Sequence, residues 1–280
     1  MQKKVLAALT IALAIGVGTA ATRPIDDNTV KLAAGVGKLP ENWGEYVTVK
    51  DLTDEISESA TRMAQNLKKP SDFDKFLKNI NTEGHLTAVL ASLVHQHPEA
   101  GAWKRAAADI QEQALVVAKA AESKGGKNFR DAQAAHKKIT DLIKKSDGGD
   151  KGGAARNSEG TPDWTSLGAL ADVMKRVEPA YKYINGKVSN ESAFKRESES
   201  IRHNAAMLYI YGQLSPAFRP TEGDMPKLSG AMSAAAADLL DAVRTSDFEK
   251  ASRTDEALKA SCLKCHEVKR FVKKGSDFDF

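Results

Sequence analysis

A chain of 280 residues with 41 Lys+Arg against 37 Asp+Glu carries a formal charge of +4, a balance too mild to mark a nucleic-acid ligand or an anionic membrane surface. Aromatic residues make up 6% and charged residues 28%, with alanine, lysine and glutamate abundant, which favours helices over sheets and predicts an all-α protein. The length suffices for two cores of ordinary domain size.

The chain opens with "MQKKVLAALTIALAIGVGTA". Lys3 and Lys4 precede an apolar run from Val5 to Val17, and small residues follow up to Ala20 and Ala21, the pattern of a cleaved export signal over residues 1–21. The run is shorter than the roughly 20 residues a spanning helix needs, and no later segment approaches that length. The expectation is therefore a protein exported to the periplasm, without a stable membrane span. Loss of Lys3 and Lys4 with the leader leaves a charge of about +2.

After an irregular entry containing Pro40, apolar periodicity predicts helices at about 48–68, 71–95, 100–123 and 127–146, with breaks at Pro70, Pro98 and the Gly125-Gly126 pair. Together they make a first domain over 22–146. Residues 147–162 are rich in Gly and Ser without apolar periodicity and read as a linker. A second domain over 163–280 follows, with helices at about 163–185, 190–214, 225–245 and 247–273. Pro216, Pro220 and Pro226 fall in one long connection. Pro179 lies inside the first of these helices, so that helix is kinked there or begins later. The fold expected is two tandem four-helix bundles.

The halves look like copies. A shift of 118 lays Leu52 on Leu170, Asp54 on Asp172, Ile56 on Met174, Phe76 on Phe194, His85 on His203, Leu90 on Leu208 and Pro98 on Pro216. A shift of 119 lays Phe129 on Phe248, Ala132 on Ala251 and Ile139 on Leu258.

The last predicted helix holds the two cysteines of the chain, in "ASCLKCHEVKRF". In an exported chain, Cys262, Cys265 and His266 form the C-x-x-C-H pattern in which two thiols add to the vinyl groups of a porphyrin and the histidine binds its iron. A thioredoxin-like pair would call for a preceding strand, and a zinc site for two further ligands nearby. Neither context is in the sequence. Phe248, Ala251, Asp255, Leu258, Cys262 and Cys265 recur every three or four residues, so one helix face carries the thiols. Where the second half has these residues, the first has Ile143, Ser146 and Asp147. The first half thus lacks a means of holding a covalent haem.

A four-helix bundle with C-x-x-C-H in its last helix resembles cytochrome c′ and its low-spin relatives, whose motif is typically followed, three and four residues after the histidine, by an aromatic residue and an arginine. Here Arg270 stands at the arginine position, Lys269 at the aromatic one, and Phe271 comes two places late. The resemblance implies one covalent haem c on Cys262 and Cys265, His266 as the proximal ligand, Arg270 beside the cofactor, and packing of the two halves in the manner of a cytochrome c′ dimer. It also implies a distal residue from the first helix of the bundle, where Met174 is the methionine available. A methionine there gives an electron carrier that exchanges electrons with redox partner proteins; a bulky apolar residue gives an open site for nitric oxide or carbon monoxide. Lys264, Lys269, Arg270, Lys273 and Lys274 around the motif would steer an acidic partner. No hydrolytic triad, phosphate loop or paired-carboxylate site is legible, so an enzyme is not expected.

The remaining candidates read as structural. His203 repeats His85 and is expected to serve the structure or the surface. His95, His97 and His136 are expected at the surface, and Met207, Tyr209 and Tyr211 in the core. The run Ala234–Ala237 is expected at a close helix contact.

Overall fold

The structure of the protein, a computed structural model, describes residues 38–148 and 162–269. The leader, most of the linker, and Arg270 with everything after it lie outside the described residues.

Among the described residues all regular structure is helical. Five helices form the first part: α1 (Val49–Asn66), α2 (Pro70–Lys75), α3 (Leu77–Gln96), α4 (Trp103–Ala120) and α5 (Gly126–Asp147). Six form the second: α6 (Trp164–Leu167), α7 (Leu170–Val188), α8 (Glu191–Arg196), α9 (Ser198–Leu214), α10 (Met225–Arg244) and α11 (Phe248–Lys269). The start of α1 is closed reciprocally. The Asp51 amide donates to Thr48 Oγ1 at 3.1 Å, and the Thr48 amide donates to Asp51 Oδ2 at 2.9 Å, so two amides left without helical partners are satisfied. Pro70 opens α2, where its missing N–H costs nothing. The second predicted helix of each half is in fact broken, at Phe76 and at Glu197, into a short helix and a long one. The helix containing Pro179 begins later than the apolar pattern suggests, at Leu170, and runs on through the proline.

The long helices sort into two closed sets. In the first, α3 packs on α1 and α4, and α5 packs on α4 and back on α1. In the second, α9 packs on α7 and α10, and α11 packs on α10 and back on α7. Leu52, Ile56, Met63, Leu90, Leu93, Ile110 and Ile139 fill the interior of one; Tyr181, Ile184, Ile201, Tyr211, Leu239 and Leu258 fill the other. Each such side chain contributes about 1.5–3 kcal/mol of transfer free energy. Met207, Tyr209 and Tyr211 are core residues, as expected. Within the alanine run, Ala235 and Ala236 are buried and Ala234 is exposed.

The structural correspondence between the halves is not the 118 shift. Helix starts run 49 to 170, 70 to 191 and 77 to 198, which is 121 each time. Asp172 closes the start of α7 by accepting from the Ala169 amide at 3.1 Å, so its counterpart is Asp51. Phe73 on α2 and Phe194 on α8 meet Phe129 and Phe248 respectively, both at 5.9 Å between ring centroids. The pairings of Leu52 with Leu170, Phe76 with Phe194 and His85 with His203 are therefore displaced. Three residues is nearly one helical turn, so apolar stripes superpose about as well in either register; caps and tertiary partners tell them apart. The last pair of helices starts at 126 and 248, 122 apart, but the ring contacts of Phe129 with Phe73 and of Phe248 with Phe194 favour the 119 register there.

The two sets touch through α1 and α3 on one side and α7 and α9 on the other. Arg176 Nε donates to Glu55 Oε1 at 2.7 Å, and 176 is 55 shifted by 121. His203 lies 3.3 Å from Asp51, and the shifted counterparts are Thr82 and Asp172, whose hydroxyl and carboxylate meet at 2.9 Å. A residue meeting its own counterpart, and a contact repeated with its partners exchanged, are the marks of an approximate two-fold interface. Arg202 completes this layer with two hydrogen bonds to Asp51, at 2.7 and 2.9 Å. Burial alone would lower the His203 pKa, but hydrogen bonds to Asp51 and then Glu55 outweigh it and hold it at about 9.

Two expectations about surface histidines are overturned. His97 is 1% exposed: its Nε2–H donates to the Val47 carbonyl at 2.9 Å, its Nδ1 accepts from the Glu99 amide at 3.1 Å, and Trp43 packs edge-on at 4.9 Å. His95 is buried with Nδ1 against the Lys104 carbonyl at 2.9 Å, and His136 is half-buried on the Ala60 carbonyl at 2.8 Å. The Val47 carbonyl precedes α1 and needs a side-chain donor, whereas the carbonyls of Lys104 and Ala60 lie within α4 and α1 and offer the imidazoles a second lone pair.

Candidate functional site

A cavity of about 380 Å³ opens between α7, α10, α11 and the segment after α9. Helical periodicity builds each wall. Leu170, Met174, Val177, Glu178 and Tyr181 recur along one face of α7; Met225, Leu228, Ser229 and Met232 do so on α10. From α11 come Ser261, Cys262, Cys265 and His266. Ser215 and Arg219 close the rim.

The three motif residues and Met174, separated by almost ninety positions in sequence, thus line one cavity. The motif itself is helical, as α11 runs unbroken through it. Cys262 is nearly buried, 8% exposed, while Cys265 and His266 are half-buried. Burial pushes the Cys262 thiol up to about 11 and lowers the His266 imidazole, so at neutral pH the thiol is protonated and the imidazole neutral. A neutral imidazole is the form that binds a metal. Behind the cavity, the Asp255 carboxylate accepts from Asn185 Nδ2 at 2.7 Å, and burial raises its pKa. Burial, then the nearby Asp255 charge, carries Tyr181 up to about 12.

The donor set suits a c-type haem. Two thiols and an imidazole stand on one wall, thioethers stand on the others, and the rest of the lining is mainly apolar. The volume lies within the roughly 300–1,000 Å³ usual for cofactor sites. Among the described residues no group of three His, Cys, Asp or Glu side chains is placed to hold a metal ion, which leaves the zinc alternative without its further ligands. Neither His85 nor His203 reaches this cavity. His85 Nδ1 meets the Leu167 carbonyl at 2.8 Å, and His203 belongs to the ionic layer between the halves.

Two further methionines line the cavity that sequence reasoning did not single out. Met225 and Met232 lie seven apart on one face of α10 and are 1% and 6% exposed, whereas Met174 is only partly buried. Their spacing was the available signal. In the corrected register the first-half counterpart of Met174 is Thr53, not Ile56, since 174 less 121 is 53. Arg270, the other residue expected beside the cofactor, lies outside the described residues, as do Lys273 and Lys274. Comparison with protein-family models, with curated proteins and with solved structures finds no match.

Proposed function

We propose that this chain is an exported monohaem c-type cytochrome that transfers electrons, built as two tandem four-helix bundles of which only the second carries haem c. The observation that carries the reading is the convergence of Cys262, Cys265, His266 and Met174 on one cavity. Cys262 and Cys265 would hold the porphyrin through thioether bonds, His266 would bind the iron from α11, and Met174 would approach it from α7. When attached, the haem supplies a one-electron couple whose potential thioether ligation raises. The chain's own contribution is the ligands, exclusion of water by the apolar lining, and an edge open to a redox partner protein. Of the three thioethers, Met174 is the one not packed away in the core, which supports its choice over Met225 and Met232. Among the described residues no helix is long and apolar enough to cross a membrane.

The test is chemical, then spectroscopic. Protein made in a host that matures c-type cytochromes is extracted with acid acetone, and the retained mass is measured; one haem per chain is expected, lost in Cys262→Ala/Cys265→Ala. The oxidised protein should then show the far-red band of methionine sulfur on ferric haem, abolished by Met174→Ala but not by Met225→Ala or Met232→Ala. A chain with free thiols refutes the cytochrome reading. A high-spin spectrum with ready carbon monoxide binding replaces electron transfer by the gas-binding alternative.

A further inference from the structure

We infer that the first half of the chain is a clamp that sets the position of α7, and with it Met174, relative to the attachment helix α11; the inference rests on the cytochrome reading above. A haem bonded to two cysteines moves with α11, so a ligand from α7 must be held in register with a different helix. The proline at 179 makes α7 poor at holding itself: with no N–H, it leaves the Lys175 carbonyl without its donor four residues on. The weakened turn, 175–179, follows directly on Met174.

The first half makes its bonds at that turn and at the one before it. Thr82 Oγ1 donates to Asp172 Oδ1 at 2.9 Å and accepts from Lys175 Nζ at 2.6 Å. Glu55 accepts from Arg176 Nε at 2.7 Å. The three α7 residues held, 172, 175 and 176, surround position 174 and leave the Met174 face turned to the cavity. Glu55 is fully buried and Thr82 5% exposed, while Thr82 and its partners Asp172 and Lys175 line an open cleft of about 740 Å³ between the halves. A helix rotated by about 20° at a side-chain radius of about 5–6 Å moves the sulfur by about 2 Å, enough to break an iron bond. Neither Thr82 nor Glu55 touches the cavity, so both are positioning residues.

The experiment uses the full-length, haem-loaded protein. In Thr82→Val, which keeps the shape and removes both hydrogen bonds, the far-red band should fall at least twofold and carbon monoxide should bind the reduced protein at least tenfold faster. Thr82→Ser should restore both. Amide exchange over residues 172–178 should accelerate at least tenfold in Thr82→Val and not in Thr82→Ser. A Thr82→Val protein with the wild-type band, carbon monoxide rate and exchange overturns the clamp. If the wild type itself lacks the band, Met174 ligation is refuted; unchanged α7 exchange in Thr82→Val then overturns the clamp, and accelerated exchange upholds it.

Discussion

Replacing Glu55 by Gln should destabilise the protein by about 3–5 kcal/mol, the usual cost of leaving a buried charge without its partner. The carboxylate is fully buried and accepts from Arg176 at 2.7 Å and Arg62 at 3.1 Å, with His203 at 3.4 Å. Two of the three neighbours have a second carboxylate: Arg62 reaches Glu83 at 2.8 Å, and His203 reaches Asp51 at 3.3 Å. Arg176, with only 12% of its side chain exposed, has otherwise, among the described residues, the neutral Asn204 amide oxygen at 3.2 Å. The penalty therefore falls on Arg176. Its size agrees with the Glu55 pKa. Burial, which acts to raise it, is outweighed by the bonds to His203 and then Arg176, and the value drops from 4.5 to about 2, which is about 3 kcal/mol at 1.36 kcal/mol per unit. Urea unfolding should show a lower midpoint with an unchanged slope. In the companion Glu55→Met/Arg176→Met protein no lone charge remains, so its loss should be well under that of Glu55→Gln. A Glu55→Gln protein within about 1 kcal/mol of wild type, or a double variant as unstable as the single one, would refute the argument.

Two further outcomes follow from the same packing. Because the His203 pKa is raised from 6.5 to about 9, its stabilisation is fully present below pH 6.5 and lost as pH rises through 9, by about 3 kcal/mol. Glu55 acts oppositely, with stability present above 4.5 and lost as pH falls through about 2. Chemical denaturation across pH should thus show an alkaline loss that shrinks in His203→Gln and an acid loss that shrinks in Glu55→Gln, and an alkaline slope equal in wild type and His203→Gln would count against the ionic layer. Gly84→Ala should destabilise by about 1–3 kcal/mol, since the new Cβ would lie 2.8 Å from the Ala118 amide nitrogen and 2.9 Å from the Ala114 carbonyl of α4. This outweighs the roughly 1 kcal/mol of helix propensity gained. A thermal midpoint at or above wild type would show that α3 and α4 can separate.

The helical class, the break positions near Pro70, Pro98 and Gly125, and the motif Cys262, Cys265 and His266 were legible from the chain because each is written within a few neighbouring residues. Composition and three-to-four periodicity report which face of a helix is apolar, and C-x-x-C-H needs no tertiary partner to be recognised. The register between the halves was not legible, as a slip of three residues keeps every apolar stripe on its face and only the caps at Asp51 and Asp172 and the Phe73–Phe129 and Phe194–Phe248 contacts distinguish 118 from 121. His95 and His97 looked like surface residues because their partners, the carbonyls of Lys104 and Val47, belong to other parts of the chain. The ionic layer joining Glu55 to Arg176 and Asp51 to Arg202 spans more than a hundred residues of sequence. By itself the sequence determined that two thiols and an imidazole stand together in the C-x-x-C-H spacing on one helix. Only the tertiary structure decided which thioethers share their cavity and which buried charges hold α7 beside them, because burial and pairing across the chain are properties of the packed molecule and of no local segment.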